Sequence, residues 1–402
     1  MSSGPQLHVR MRARSSTEAH RASSPLELLF DLTFVVAISS LAAELATSVV
    51  GGHALAAIVP YLMVFFAIWW AWMNFTWFAS AFDTDDVLYR IFTLVQMAGV
   101  LVLAAGVPAA FSGSHYLAIT LGYAIMRVGL IAQWVRAGLE HAESRRPAWR
   151  YAGGVALVQL GWVLRLLLPA EFGIVSFVVL AVLDMSVPIL AEHGARTSWH
   201  PGHIAERHGL FVIILLGESV AAATAAMQRA LSAGGVTPSL VIVGVAGLTL
   251  LFAIWWIYFL APTERGLTAR PGYAYFWGYG HWFLFAAIAA VGAGIEVAVE
   301  GAAHPLSIGS VATGYALAIP VALLFVLLDV LHRPLVDDSE VPGRVLLPAA
   351  ALALILPPAA PVVGVAGTVA LVAVDGALVV VGTIVIGRAR QRVTPAAIVA
   401  RG

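Results

Sequence analysis

Twelve stretches of about 20 predominantly apolar residues, each long enough to carry a helix across a bilayer, dominate this sequence. They fall near residues 26–49, 55–80, 88–111, 115–138, 150–168, 172–192, 204–228, 238–261, 276–299, 307–331, 345–363 and 365–387. Of 402 residues 60% are hydrophobic and only 11% charged, too few to cover a water-exposed globule of this size. The expected fold is all-α: a polytopic transmembrane helical bundle of about twelve spans. The last two runs are separated only by Pro357-Pro358 and Pro361, which also fits a re-entrant element. Cysteine and lysine are both absent, so disulfides, thiolate metal sites and lysine Schiff bases are excluded.

Arginine placement gives an orientation, because positive side chains are retained on the cytoplasmic face. With the N-terminus inside, Arg10, Arg12, Arg14 and Arg21, the even-numbered loops and the tail (Arg388, Arg390, Arg392, Arg401) put 19 of 22 arginines on that side. Arg165 and Arg229 lie on the other side, and Arg127 within the fourth span. The basic N-terminus looks superficially like a signal peptide, but Glu27, Asp31 and Glu44 in the following run are foreign to a signal core and predict a retained span. The expected layout is a cytoplasmic arm (1–24), two six-helix halves (25–195 and 196–387) and a cytoplasmic tail (388–402).

The halves echo each other. Phe66-Ala67-Ile68-Trp69-Trp70 in the second run returns as Phe252-Ala253-Ile254-Trp255-Trp256 in the eighth, 186 residues on. Tyr89 matches Tyr275 at the same shift, Gly122-Tyr123-Ala124 matches Gly314-Tyr315-Ala316 at 192, and Glu27 matches Glu206 at 179. Chance similarity among apolar helices is the competing reading. Units of six spans share one orientation, which predicts a parallel repeat about an axis along the membrane normal.

Ionisable side chains inside spans are costly and are candidate functional groups. Glu27 and Asp31 lie four residues apart, on one helical face and about 6 Å apart in height. Two readings fit: a cap or arginine pair at the headgroup level, or an acidic mouth. The seventh run holds His203, Glu206, His208 and Glu218, with Glu218 about 18 Å along the helix from Glu206. Its small neighbours Gly217 and Ser219 let a helix or water approach. Arg127 is its candidate buried partner, the alternative being a proton or cation site. His203 and His208 point about 140° apart, unlike a zinc-binding His-Glu-x-x-His helix. No metal site or cofactor is indicated. Asp184, His281, Asp329, His332 and Asp375 are further polar groups in spans. The cluster Trp69, Trp70, Trp72, Phe75 and Trp77 reads as helix packing with interface anchoring or as a cation-attracting aromatic wall. No phosphate loop, dinucleotide fingerprint or nucleic-acid-binding stripe is present.

Two motifs carry a family resemblance. Ser24-Pro25-Leu26-Glu27-Leu28-Leu29-Phe30-Asp31-Leu32-Thr33-Phe34-Val35 with Ala37-Ile38-Ser39, and Glu206-Arg207-His208-Gly209-Leu210-Phe211 running on to Leu216-Gly217-Glu218-Ser219, resemble the signatures of the bacterial low temperature requirement A family. The resemblance covers about residues 23–387. It implies a multi-pass protein of the bacterial plasma (inner) membrane, named for a cold-growth requirement, with Glu27, Asp31, Glu206, Gly217, Glu218 and Ser219 as its motif residues here. The chain is more faintly similar to potassium channels of two six-helix repeats whose first helices carry Phe-Ser-Asp. Phe30-Asp31 lacks that serine, and Leu210 stands where Asp31 aligns when Glu27 and Glu206 are matched.

The expectation from sequence is a transporter or ion-permeation protein. Glu27, Asp31, Glu206, Glu218, Ser219, Arg127 and His208 are its candidate residues for a proton, cation or small-molecule substrate, on a polar path between the halves. The lipid bilayer is the expected partner, and no nucleic acid is expected. A non-transporting scaffold or cold-adaptation factor is the alternative. An enzyme is not expected, for want of a nucleophile and base at matched depth.

Overall fold

Backbone groups in hydrocarbon must bond within their own segment, and the computed structural model is helical throughout: 85% helix and no strand among the described residues. Those are residues 7–14, 22–113, 115–335 and 343–399, with side chains described to residue 386. Arg21, Arg401 and the side chains of Arg388, Arg390 and Arg392 lie outside them. The helices are α1 (Pro25–Val50), α2 (Ala54–Ala81), α3 (Val87–Ala105), α4 (Val107–Gly113), α5 (Leu117–Glu140), α6 (Arg145–Leu164), α7 (Gly173–Ala191), α8 (Pro201–Gly234), α9 (Pro238–Phe259), α10 (Thr263–Ala269), α11 (Ala274–Ala303), α12 (Gly309–His332), α13 (Gly343–Ile355) and α14 (Ala360–Val399). Non-helical backbone at Gly364 (φ 74°) interrupts α14.

Among the described residues ten stretches are long and apolar enough to cross a membrane. The expected run at 150–168 corresponds to α6, which is not among the ten; it carries Arg145, Arg146, Arg150 and Gln159. The last two expected runs fall in one continuous stretch, Gly343–Ile386.

The chain divides into two compact units, Met1–Leu41 with Ile58–Leu210, and Ala42–Ala57 with Phe211–Gly402. In the first, α3 packs on α5 through glycines. A Cβ on Gly99 or Gly122 would approach the other's carbonyl oxygen to 2.6 Å, so small residues permit this backbone contact. A buried polar ladder follows the same seam: Gln96 donates to Gln133 (2.9 Å), Gln133 to Thr93 (3.1 Å) and Thr93 to the Tyr89 carbonyl (2.8 Å). The tryptophans of α2 fill the core, with Trp69, Trp70, Trp72 and Trp77 all buried and Trp77 against Trp199. In the second unit, α11 is the central helix and packs closely on α12, where a Cβ on Gly294 would meet the Ala316 carbonyl at 2.6 Å. Ala42 and Ala46 of α1 pack with Ala293 and Val297 of α11. The repeated pentapeptide has a different environment here. Ala253 and Ile254 are buried, while Phe252, Trp255 and Trp256 are exposed.

Candidate functional site

The start of α1 is a capping box. Glu27 receives the Ser24 N–H at 2.8 Å, and its own N–H donates to Ser24 Oγ at 3.3 Å, satisfying two N–H groups that a helix start leaves free. Glu206 of α8 accepts the Ser23 N–H at 3.2 Å. The carboxylate of Glu27 then serves a second purpose. Its Oε1 lies 2.8 Å from Arg207 Nη1 and 2.9 Å from His203 Nε2. One turn on, Asp31 Oδ1 meets Arg207 Nη2 at 2.5 Å and accepts from Trp72 Nε1 at 2.7 Å. Arg207 Nη2 also reaches Thr76 Oγ1 at 3.4 Å, and its guanidinium sits 6.0 Å from the Phe75 ring.

The geometry follows from helical period. Glu27 and Asp31 share one face of α1, His203 and Arg207 share one face of α8, and each pair is spaced i,i+4. All four side chains are 1% exposed or less. Two carboxylates therefore face one permanent cation and one histidine, and Asp31 Oδ2 has no hydrogen-bond partner among the described residues. His208 lies beside this network, its Nδ1 bonded to the Ile204 carbonyl at 2.8 Å and its ring edge-on to Trp72 at 5.1 Å.

A second buried cluster holds Arg127. The expected partner was Glu218; the structure gives Asp184 of α7 instead, at 3.0 Å. Tyr123 donates to the same carboxylate at 2.8 Å and Trp162 at 3.1 Å, and Arg127 also bonds the Tyr123 hydroxyl. Helical spacing explains the set, since Tyr123 and Arg127 are stacked one turn apart on α5. A third cluster closes one end of the first unit. Asp86 caps α3 by accepting the Tyr89 N–H (2.8 Å), accepts the Val9 N–H (2.8 Å) and pairs with Arg136 at 2.5 Å. Burial pushes the Asp86 carboxyl up, but the hydrogen bonds from Arg136, Val9 and Tyr89 outweigh it and hold it at about 2.

Glu218 stands in the second unit, half-buried on α8, near enough to Glu296 of α11 for charge repulsion. Arg229 pairs with Glu296 at 2.7 Å. Beside Glu218, Ser219 bonds the Leu215 carbonyl at 2.9 Å and packs on Gly292, while Gly217 faces open space. Of the expected residues, then, Glu27, Asp31 and His208 come together in the first unit with Glu206 at the rim, and Arg127 forms a separate cluster there. Sequence reasoning missed Arg207 and Glu296. Arg207 is one of the even-numbered-loop arginines in the orientation count, although its i,i+4 spacing from His203, mirroring Glu27 and Asp31, was the available signal.

The model of the bacterial low temperature requirement A protein matches residues 22–385, nearly the whole chain. The chain belongs to that family. As a low temperature requirement A protein it is also similar to an uncharacterized protein of Rhizobium meliloti (strain 1021), 28% identical over 320 residues, covering 75% of each chain. No solved structure matches it. Family membership together with the apolar helices makes this an integral, multi-pass membrane protein, in which the two motifs that carry the resemblance meet in the buried ion network: Glu27 and Asp31 from the first, Arg207 from the second.

Proposed function

We propose that this chain is a proton- or cation-coupled membrane transport protein, in which the Glu27, Asp31, Arg207 and His203 network is the ion-sensitive element. The observation that carries the reading is charge arithmetic in a dry setting: two buried carboxylates against one arginine. Uncompensated charge in such surroundings is expensive, so the network favours binding a further proton or cation, on His203 or at Asp31 Oδ2. Glu218 with Glu296 forms the second candidate carboxylate pair, Ser219 supporting it.

The reading includes twelve spans in two parallel six-helix repeats, oriented with both termini cytoplasmic in the bacterial inner membrane. Helix α6 has 20 residues, about 30 Å of helix and enough for one crossing. Gly343–Ile386 has 44 residues, too many for one span and broken at Pro357 and Gly364. Order of packing supports the repeat: α3 on α5 on α6 on α7 in one unit, α11 on α12 on α13 on α14 in the other.

The test is proton and monovalent-cation flux in proteoliposomes of the full chain, reported by an internal pH dye under an imposed potential. Wild type is expected to exceed protein-free vesicles, and Asp31→Asn and Glu218→Gln to lose at least most of the excess. Flux at the protein-free level, or variants indistinguishable from wild type, overturns the assignment. A structural scaffold is the second reading, favoured by the way the Asp184 cluster ties α5, α6 and α7 together; it predicts that such variants alter stability alone.

A further inference from the structure

Three helices of the second unit, α8, α9 and α11, leave a groove of about 370 Å³ between them, within the range of small-molecule sites. On α8 the spacing of Val220, Ala223, Met227 and Leu231 sets all four on one face, and that face lines the groove. Leu248 and Leu251 line it from α9, and Ile295 and Val299 of α11 form the floor. The floor is buried, with Leu251, Ile295 and Val299 at 4% exposed or less, while the walls are open: Val220 is 39% and Leu248 42% exposed. The groove therefore opens sideways. Its walls belong to stretches long and apolar enough to cross a membrane, so what it opens into is hydrocarbon.

Nothing along the groove calls for a polar ligand. Its one hydroxyl, Thr224 Oγ1, donates to the Val220 carbonyl at 2.7 Å, and apart from Gln228, toward the end of α8, the rest of the lining is apolar. The length fits one leaflet. Val220 to Leu231 rises about 16 Å along α8, against about 15 Å for half of the hydrocarbon core. Charge is found at the end where α8 and α11 terminate. Arg229, 65% exposed, bonds Glu296 at 2.7 Å, and its guanidinium has further N–H donors to offer a phosphate. Glu300, one turn beyond Glu296 on α11, is 44% exposed and is reached by His304 only at 4.0 Å. A guanidinium beside a carboxylate matches a phosphate beside an ammonium. Two carboxylates against one arginine disfavour a headgroup that carries negative charge alone.

We propose that this groove is a lipid-binding site, holding one acyl chain of an aminophospholipid whose phosphate lies on Arg229 and whose ammonium lies on Glu300. The inference is independent of ion coupling: it stands or falls without any flux.

Native mass spectrometry of the full chain in detergent, delipidated and then offered phosphatidylethanolamine or phosphatidylglycerol with the same acyl chains, tests it. Wild type is expected to retain one phosphatidylethanolamine per chain, at least threefold more than phosphatidylglycerol. Ala223→Phe, which fills the groove from α8, should lower that retention at least tenfold. Leu248→Trp, which fills it from α9, should do the same and guards against a folding defect in either variant alone. Val245→Phe, at a position of α9 that is 64% exposed and outside the groove, should retain the lipid as wild type does, which separates this site from the loosely held lipid around the protein. Glu300→Gln should erase the preference for ethanolamine, and Arg229→Gln should weaken both lipids. No retained phospholipid, retention unchanged in both filling variants, or equal retention of the two headgroups overturns the proposal. So does a dimer that Ala223→Phe disperses, which would make the groove an interface between copies of this chain.

Discussion

Replacing Arg207 by Gln should be among the most damaging single changes in the first unit, and the structure says why. Arg207 holds Glu27 at 2.8 Å and Asp31 at 2.5 Å, with all three side chains 1% exposed or less. Without the guanidinium, two carboxylates one helical turn apart are left facing His203 alone. Breaking a buried pair by removing one partner costs about 3–5 kcal/mol. At about 3 °C per kcal/mol for a unit of this size, that is a fall in melting temperature of about 9–15 °C. Asp31→Asn should be mild by contrast. Glu27 and Arg207 remain a balanced pair, and the amide oxygen of Asn can still accept from Trp72 Nε1. Exchanging a charge-assisted hydrogen bond for a neutral one costs about 1 kcal/mol, or about 3 °C. Adding Asp31→Asn to Arg207→Gln removes one stranded charge, so the double variant should melt above Arg207→Gln alone. Thermal melting followed by size-exclusion chromatography in detergent reads all three proteins. If Asp31→Asn is as destabilising as Arg207→Gln, or if the two losses simply add, the carboxylate-excess argument is wrong.

Asp86 gives a pH-dependent prediction. Its folded-state value of about 2 lies below the ordinary 3.9 or so of an aspartate, so the stability it contributes is complete above about pH 4 and lost as pH falls through about 2. Asp86→Asn should cost about 2 kcal/mol near neutrality through the weakened α3 cap and Arg136 pair, with the gap to wild type closing between about pH 4 and pH 2 in an acid titration; a constant gap would exclude the pairing. Gly122→Leu should force α3 and α5 apart and lower the melting temperature by several degrees at about 1–3 kcal/mol, whereas Gly217→Leu, whose Cβ meets nothing within 4 Å, should melt as wild type. Equal melts for the two would show that helix contact does not set the difference.

The membrane-helical fold was legible because hydropathy reports depth directly: each expected run corresponds to helix, α1 at Pro25–Val50 against 26–49 and α9 at Pro238–Phe259 against 238–261. Partnership was much less legible. Arg127 was visible as an intramembrane cation, but its partner Asp184 lies 57 residues away on a helix whose rotation no single sequence specifies, so the pairing went to Glu218. Arg207 was misread for a different reason. A positive-inside count treats arginines near helix ends alike, and it does not distinguish a solvated guanidinium from one drawn into a buried network. The Trp-Trp recurrence shows the same limit. Identical pentapeptides in α2 and α9 have Trp69 and Trp70 buried but Trp255 and Trp256 exposed, because the environment is set by what packs alongside.

Glu27 has a further consequence for genetics. One carboxylate both starts α1, through its bond to the Ser24 N–H, and anchors Arg207 and His203. A loss-of-function allele at this codon would merge a failure to fold with a failure to act, and no screen on phenotype alone could tell them apart. Asp31 carries no part of the capping box, so alleles there divide the two. Dissection of this protein by selection should start one turn into the helix.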